Sequence, residues 1–141
     1  MKYTMRIMRI SEHISFEEAV LSPTAIRNGI DNMPNDQELN NMKLVAEHCF
    51  EPLRKMWGKP IKINSFFRSQ KLNQLVKGSP SSSHTKGQAI DITTGTKAEN
   101  KKLFELAKTL EFDQLINEYD YLWMHISFKA SGNRKQILVI K

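Results

Sequence analysis

Two imidazoles and a carboxylate give this chain its most legible chemistry. His84 and Asp91 belong to the run Ser82-Ser83-His84-Thr85-Lys86-Gly87-Gln88-Ala89-Ile90-Asp91, which a glycine interrupts. His125 lies further on, in Trp123-Met124-His125-Ile126-Ser127. Two histidines and one carboxylate make a three-ligand set for a divalent metal, and that mixture of nitrogen and oxygen suits zinc. Three protein ligands leave a fourth position for water, which separates a catalytic zinc from a structural one. The set offsets only one of zinc's two positive charges. The remaining charge lowers the pKa of bound water and polarises a carbonyl. These residues point to a hydrolase.

Such chemistry needs a proton acceptor beside the water, and Glu118 and Asp120 are the candidates. If residues 119–122 close a hairpin, Glu118 stands opposite Trp123 and shares the face of His125. A slip of one residue would turn it away. Asp120 would sit in the turn. Asp91 in an apolar strand is unusual, because burying an unpaired carboxylate is costly. His125 between Met124 and Ile126 is unusual for a similar reason. His13 and His48 lack such settings and read as structural. Cys49 is the only cysteine, so no internal disulfide forms, and it reads as a core residue.

The elements that must position these groups follow from local signals. Ser15 with Glu18 is a capping box for a short helix over 16–21. Pro23 suits the first position of a second helix, which Gly29 ends. Asn35 with Glu38 caps the longest helix, where Leu39, Met42, Ala46, Cys49, Leu53 and Met56 recur as a core-facing stripe. Pro52 is expected to kink or divide that helix. Strands are expected over 61–67 and 88–93, with Arg68 at the end of the first and a short helix over 69–76. Thr96 with Glu99 caps a helix whose Leu103, Phe104, Ala107 and Leu110 form one face. Three strands follow, near 112–119, 122–128 and 136–140. In the strand over 88–93, Ala89, Asp91 and Thr93 share one face, and Ile90 and Ile92 share the other. Helices first and mostly antiparallel strands later predict an α+β domain spanning 1–141.

Composition narrows the setting. The net charge is +6, which favours polyanions such as anionic cell-wall polymers or nucleic acid. The basic residues are scattered, with no block of the kind that marks a nucleic-acid-binding arm. Residues 1–6 carry charge with no apolar run after them, so an export leader is not expected. No stretch approaches the roughly 20 apolar residues of a membrane helix. The expectation is a monomer made in the cytosol, with no membrane or nucleic-acid partner.

The pattern Ser-x-His-x-x-Gly-x-Ala-x-Asp followed by Trp-x-His-x-Ser resembles the M15 zinc peptidases, which include D-Ala-D-Ala carboxypeptidases and phage endolysin peptidases. The likeness is widest to a short phage and prophage-type subgroup. It extends through Ser22 to Asn35, Leu53-Arg54, Gly58-Lys59-Pro60, Asn64-Ser65-Phe66-Phe67-Arg68-Ser69, Asn73, Gly78-Ser79 and Phe112 to Glu118. The resemblance implies a compact α+β fold with a central antiparallel sheet, similar to the hedgehog and DD-peptidase fold. It implies His84, Asp91 and His125 as zinc ligands and peptidoglycan peptides as substrates. Arg68 would bind substrate or stabilise the oxyanion, with Ser82 and Ser127 as supporting polar groups. Arg68 also reads as a structural ion-pair partner. Many family members place the catalytic acid three residues before the last histidine. That position is Leu122 here, and Glu118 lies further back.

The resulting expectation is metal-assisted amide hydrolysis in peptidoglycan stem or cross-link peptides, by an endolysin-like endopeptidase or a D-Ala-D-Ala carboxypeptidase. Access to the wall would come through phage- or holin-type release. A non-catalytic zinc-bearing module that binds cell wall or protein is the alternative. A basic nucleic-acid-binding domain is a third reading, which leaves the metal triad unexplained.

Overall fold

A computed structural model describes residues 9–141. The leader expectation drawn from residues 1–6 lies outside the described residues. A two-stranded ribbon of β1 (Arg9–Ser11) and β2 (Ile14–Ser15) opens the fold. Three helices follow, α1 (Phe16–Val20), α2 (Pro23–Arg27) and α3 (Asp36–Val45). The expected caps are all present. Ser15 with Glu18 and Asn35 with Glu38 each close both halves of a capping box, and Pro23 occupies the first turn of α2.

The long apolar stripe runs on through a π-helical turn, Ala46–Phe50, into α4 (Glu51–Trp57). This is how the chain accommodates Pro52. Proline has no N–H to give the ladder, and its ring crowds the carbonyl four residues back. A widened turn just before it divides the helix without ending it. Met42, Ala46, Cys49 and Leu53 are wholly buried, whereas Met56, expected on the same stripe, lies in the last turn and is exposed. Gly58 ends α4 in the left-handed region.

The sheet has five strands, β3 (Lys62–Ser65), β4 (Ala89–Thr93), β5 (Gln114–Glu118), β6 (Trp123–Ser127) and β7 (Gln136–Ile140). Their spatial order is β3-β4-β6-β5-β7. Three of the neighbouring pairs are antiparallel, but β7 joins β5 in parallel. The sheet is therefore mixed, and the expected antiparallel arrangement holds only for β3 to β6. The class is α+β as expected. A short helix α5 (Gln70–Leu75) follows β3, and α6 (Lys97–Ala107) follows β4.

Side-chain alternation divides the sheet into two faces. Ile90, Ile92, Leu115, Met124 and Ile126 are fully buried in a core that also holds Met42, Val45, Leu53, Leu103 and Phe104 from the helices. Asp91, His125 and Glu118 alternate with these residues and project from the other face. Burying the isoleucine side of β4 thus fixes the direction of Asp91. No helix among the described residues is long and apolar enough to cross a membrane.

Candidate metal centre

Asp91 stands directly opposite His125 in the β4–β6 pairing. Directly opposed residues of an antiparallel pair share a face, so two candidate metal ligands meet through register alone. Asp91 Oδ1 lies 2.9 Å from His125 Nδ1. The third group arrives from a loop. Ser82 caps a short 3₁₀ helix, Ser83–Lys86, and its hydroxyl accepts from the His84 amide. Gly87 ends that helix at φ 73°, where the chain passes so close to α3 that a Cβ would lie 2.4 Å from the Glu38 carbonyl oxygen. Only glycine meets both conditions without strain. The turn swings His84 back until its Nε2 is 3.2 Å from Asp91 Oδ2. The His84 and His125 rings meet edge to face, 5.1 Å apart.

The environment of His84 shows why this set suits a cation. Its Nδ1 lies 2.7 Å from the Phe66 carbonyl oxygen, in a buried contact. A carbonyl only accepts, so Nδ1 carries the proton and Nε2 presents a bare lone pair. That Nε2 is buried without a hydrogen-bond partner. It faces a carboxylate oxygen, so two acceptors confront each other in a desolvated space. An ion between them satisfies both, and His84, Asp91 and His125 are close enough together to hold one. Burial works to raise the Asp91 pKa, but the two flanking imidazoles outweigh it and hold the carboxyl well below its ordinary value. The group is an anion ready to coordinate.

Glu118 and Arg68 converge on the same centre. Glu118 pairs with Trp123 across the β5–β6 hairpin, as the register argument anticipates. The Trp123 indole donates to Glu118 Oε2 at 3.2 Å. Burial raises the Glu118 pKa and the Asp91 charge adds to it, with partial offset from His125, Trp123 and His84. Arg68 follows β3, its own amide bonded to the His84 carbonyl and its guanidinium donating to Ser82 Oγ at 3.4 Å. Burial lowers its pKa against the charges of Asp91 and Glu118, and its Nε has no partner.

Asp120 is elsewhere. It occupies the hairpin turn, largely exposed, and lies 3.9 Å from Lys97. Ser127 is buried, and its hydroxyl accepts from the Gln114 amide, which ties β6 to the start of β5. Ser82 lies inside the centre, between Arg68 and His84. His13 binds Glu51 at the surface, and His48 stacks on Phe128. Cys49 is buried, which pushes its thiol up to about 12.

Several positioning residues carry no sequence signal of their own. The Phe66 carbonyl orients His84. Asn32 donates to the Phe67 carbonyl and accepts from the Ser69 amide, bracketing Arg68. Asn100 is buried and donates to Thr93 Oγ1 and to the Tyr121 and Leu122 carbonyls, fastening the turn that leads into β6. A buried asparagine looks in sequence like any loop asparagine, and only its tertiary partners distinguish it.

Fold and site together define the class, an α+β protein with a two-histidine, one-aspartate candidate metal centre on the open face of its sheet. The family model for peptidase M15 matches residues 12–127, and the chain belongs to that family. The matched span includes His84, Asp91, Glu118 and His125. Comparison with curated proteins gives no match.

Proposed function

We propose that this chain is a zinc-dependent peptidase that hydrolyses an amide bond in peptidoglycan stem or cross-link peptides. The observation that carries the reading is the buried, unpartnered Nε2 of His84 facing Asp91, with His125 completing the set. Membership of the M15 family supports peptide hydrolysis. His84, Asp91 and His125 would hold the ion. Bound zinc supplies a Lewis acid that polarises a carbonyl and lowers the pKa of water.

The protein's own groups do the rest. Glu118 accepts a proton from the attacking water and returns it to the leaving amine. Its raised pKa brings it closer to neutral pH, where a group that both takes and gives a proton works best. Trp123 holds one Glu118 oxygen and leaves the other free. Arg68 stabilises the negative oxygen that develops on the carbonyl. Ser82 steadies both Arg68 and the His84 turn. Asp120, out in the turn and beside Lys97, has no part in the proton transfer. The +6 charge supports retention of a monomer on anionic wall polymers.

The test is mass spectrometry of purified peptidoglycan digested by the zinc-supplemented protein and by Glu118→Gln. The wild type should release new peptide termini. Glu118→Gln should retain zinc and turn over about 10²- to 10⁴-fold more slowly. Equal turnover in the variant would remove Glu118 from the mechanism. A zinc-loaded wild type that binds cell wall without cutting it would favour the non-catalytic module.

A further inference from the structure

A groove runs along β3 as far as Arg68. This strand is an edge of the sheet, paired with β4 alone. Its register slips by one residue. Ile63 stands opposite Ile92 and Ser65 opposite Asp91, which leaves Asn64 with no partner residue. Bulges of this kind re-aim a side chain and recur beside active sites. The bulge ends at the residue that faces Asp91, so it sets the geometry at the rim of the centre. Asn64 is exposed, and its side chain makes no hydrogen bond among the described residues.

The open side of β3 looks across at the segment between α1 and α2. The space between them has two parts, one of about 430 Å³ and one, the inner with respect to Arg68, of about 200 Å³. Leu21, Pro23, Asn64 and Ser65 line both parts, and Arg68 lines the inner one. The unpaired backbone groups of an edge strand are a template for a further strand, and extended peptides use such edges for main-chain hydrogen bonds. Asn64 and Ser65 add an amide and a hydroxyl, which suit peptide N–H and C=O groups. At the inner end, the unpartnered Nε of Arg68 needs an acceptor. A neighbouring groove of about 580 Å³ is lined mainly by apolar residues such as Ile26, Ile30 and Met33, and offers a peptide backbone far less.

We propose that the peptide substrate docks in extended form along the free edge of β3, with Asn64 as a substrate-positioning residue that binds its backbone and Arg68 closing the inner end. This rests on the peptidase reading above. Substrate residues remote from the reacting bond then contribute binding energy through the groove, so longer stem peptides bind better than a dipeptide.

The test uses the full chain carrying Glu118→Gln, with zinc present, so that bound peptide persists. It is labelled with ¹⁵N and titrated with a peptidoglycan stem tetrapeptide and with a dipeptide cut from it. The tetrapeptide should shift the amide signals of Leu21, Ser22, Thr24 and residues 62–65 and bind more tightly than the dipeptide. Adding Asn64→Ala should weaken the tetrapeptide about tenfold, the effect of one or two net hydrogen bonds, while the rest of the spectrum stays in place. Shifts confined to Ile26, Ile30 and Met33, equal affinity for the two peptides, no binding, or no effect of Asn64→Ala would each overturn the proposal. Binding is read apart from turnover. A tetrapeptide seated on β3 but never cleaved by the zinc-loaded wild type refutes the peptidase reading alone, and cleavage with binding elsewhere refutes the groove alone.

Discussion

Asp91 is the residue on which the centre turns. Its two oxygens each face an imidazole nitrogen, and its charge acts on Glu118 and Arg68 as well. Replacing any of His84, Asp91 or His125 by alanine should lower zinc affinity more than about 100-fold, the upper end of what loss of an outer-shell partner costs. Metal competition with a chromophoric chelator checks this, and near-wild-type affinity in any one variant would remove that residue from the set. Trp123→Phe is a finer probe. It deletes the hydrogen bond that orients Glu118 while leaving an aromatic ring in place. It should lower kcat about tenfold with KM and zinc content little changed, because the lost interaction is worth roughly 1–1.5 kcal/mol. Asp91 and His125 were legible in sequence because each is anomalous in its setting, and His84 was legible through the motif it shares with Asp91. The Phe66 carbonyl and the brackets formed by Asn32 and Asn100 were not, since a backbone acceptor and a buried amide leave no compositional trace.

At the scale of elements, two features hold the centre in shape. The first is the turn at Gly87. Gly87→Ala would place a methyl group against the Glu38 carbonyl and force a side chain into the left-handed region, which alone costs about 1–2 kcal/mol. Urea denaturation should show a loss at least that large, and zinc affinity should fall with it because His84 lies on the same turn. The second is Asn100. Asn100→Ala leaves the Thr94 amide and two turn carbonyls without their partner and should destabilise by about 1–3 kcal/mol. Unchanged stability in either variant would show that its turn is held by other contacts. Caps and apolar periodicity made most elements readable in advance. The π turn before Pro52 was not readable, because a proline inside an apolar stripe can kink, divide or end a helix, and the surrounding packing decides which. The direction of β7 was hidden for a related reason. The strand is evident from its residues, but a connection over 128–135 is long enough to reach either edge or run either way.

For the molecule as a whole, the last connection is fastened by one acid. Asp113 is buried, accepts from the Arg134 guanidinium at 2.8 and 2.9 Å and has Lys129 3.7 Å away. The Arg134 hydrogen bonds are the main cause of a pKa held below the ordinary carboxylate value. A depressed folded-state pKa stabilises the fold above the unfolded pKa, and that stability is lost as pH falls through the folded value. Thermal melts should therefore show Asp113→Asn less stable than wild type near neutrality, with the gap closing in acid below the carboxylate range. A gap of constant size across pH would contradict the charge-based account. Asp91, a different acid, anchors the candidate metal centre, and calorimetric titration of the purified chain with zinc tests that centre. The wild type should take up one ion per chain, and His125→Ala should take up none at the same concentration. Absence of zinc binding by the wild type, or uptake unchanged by His125→Ala, would contradict a metal centre built from His84, Asp91 and His125.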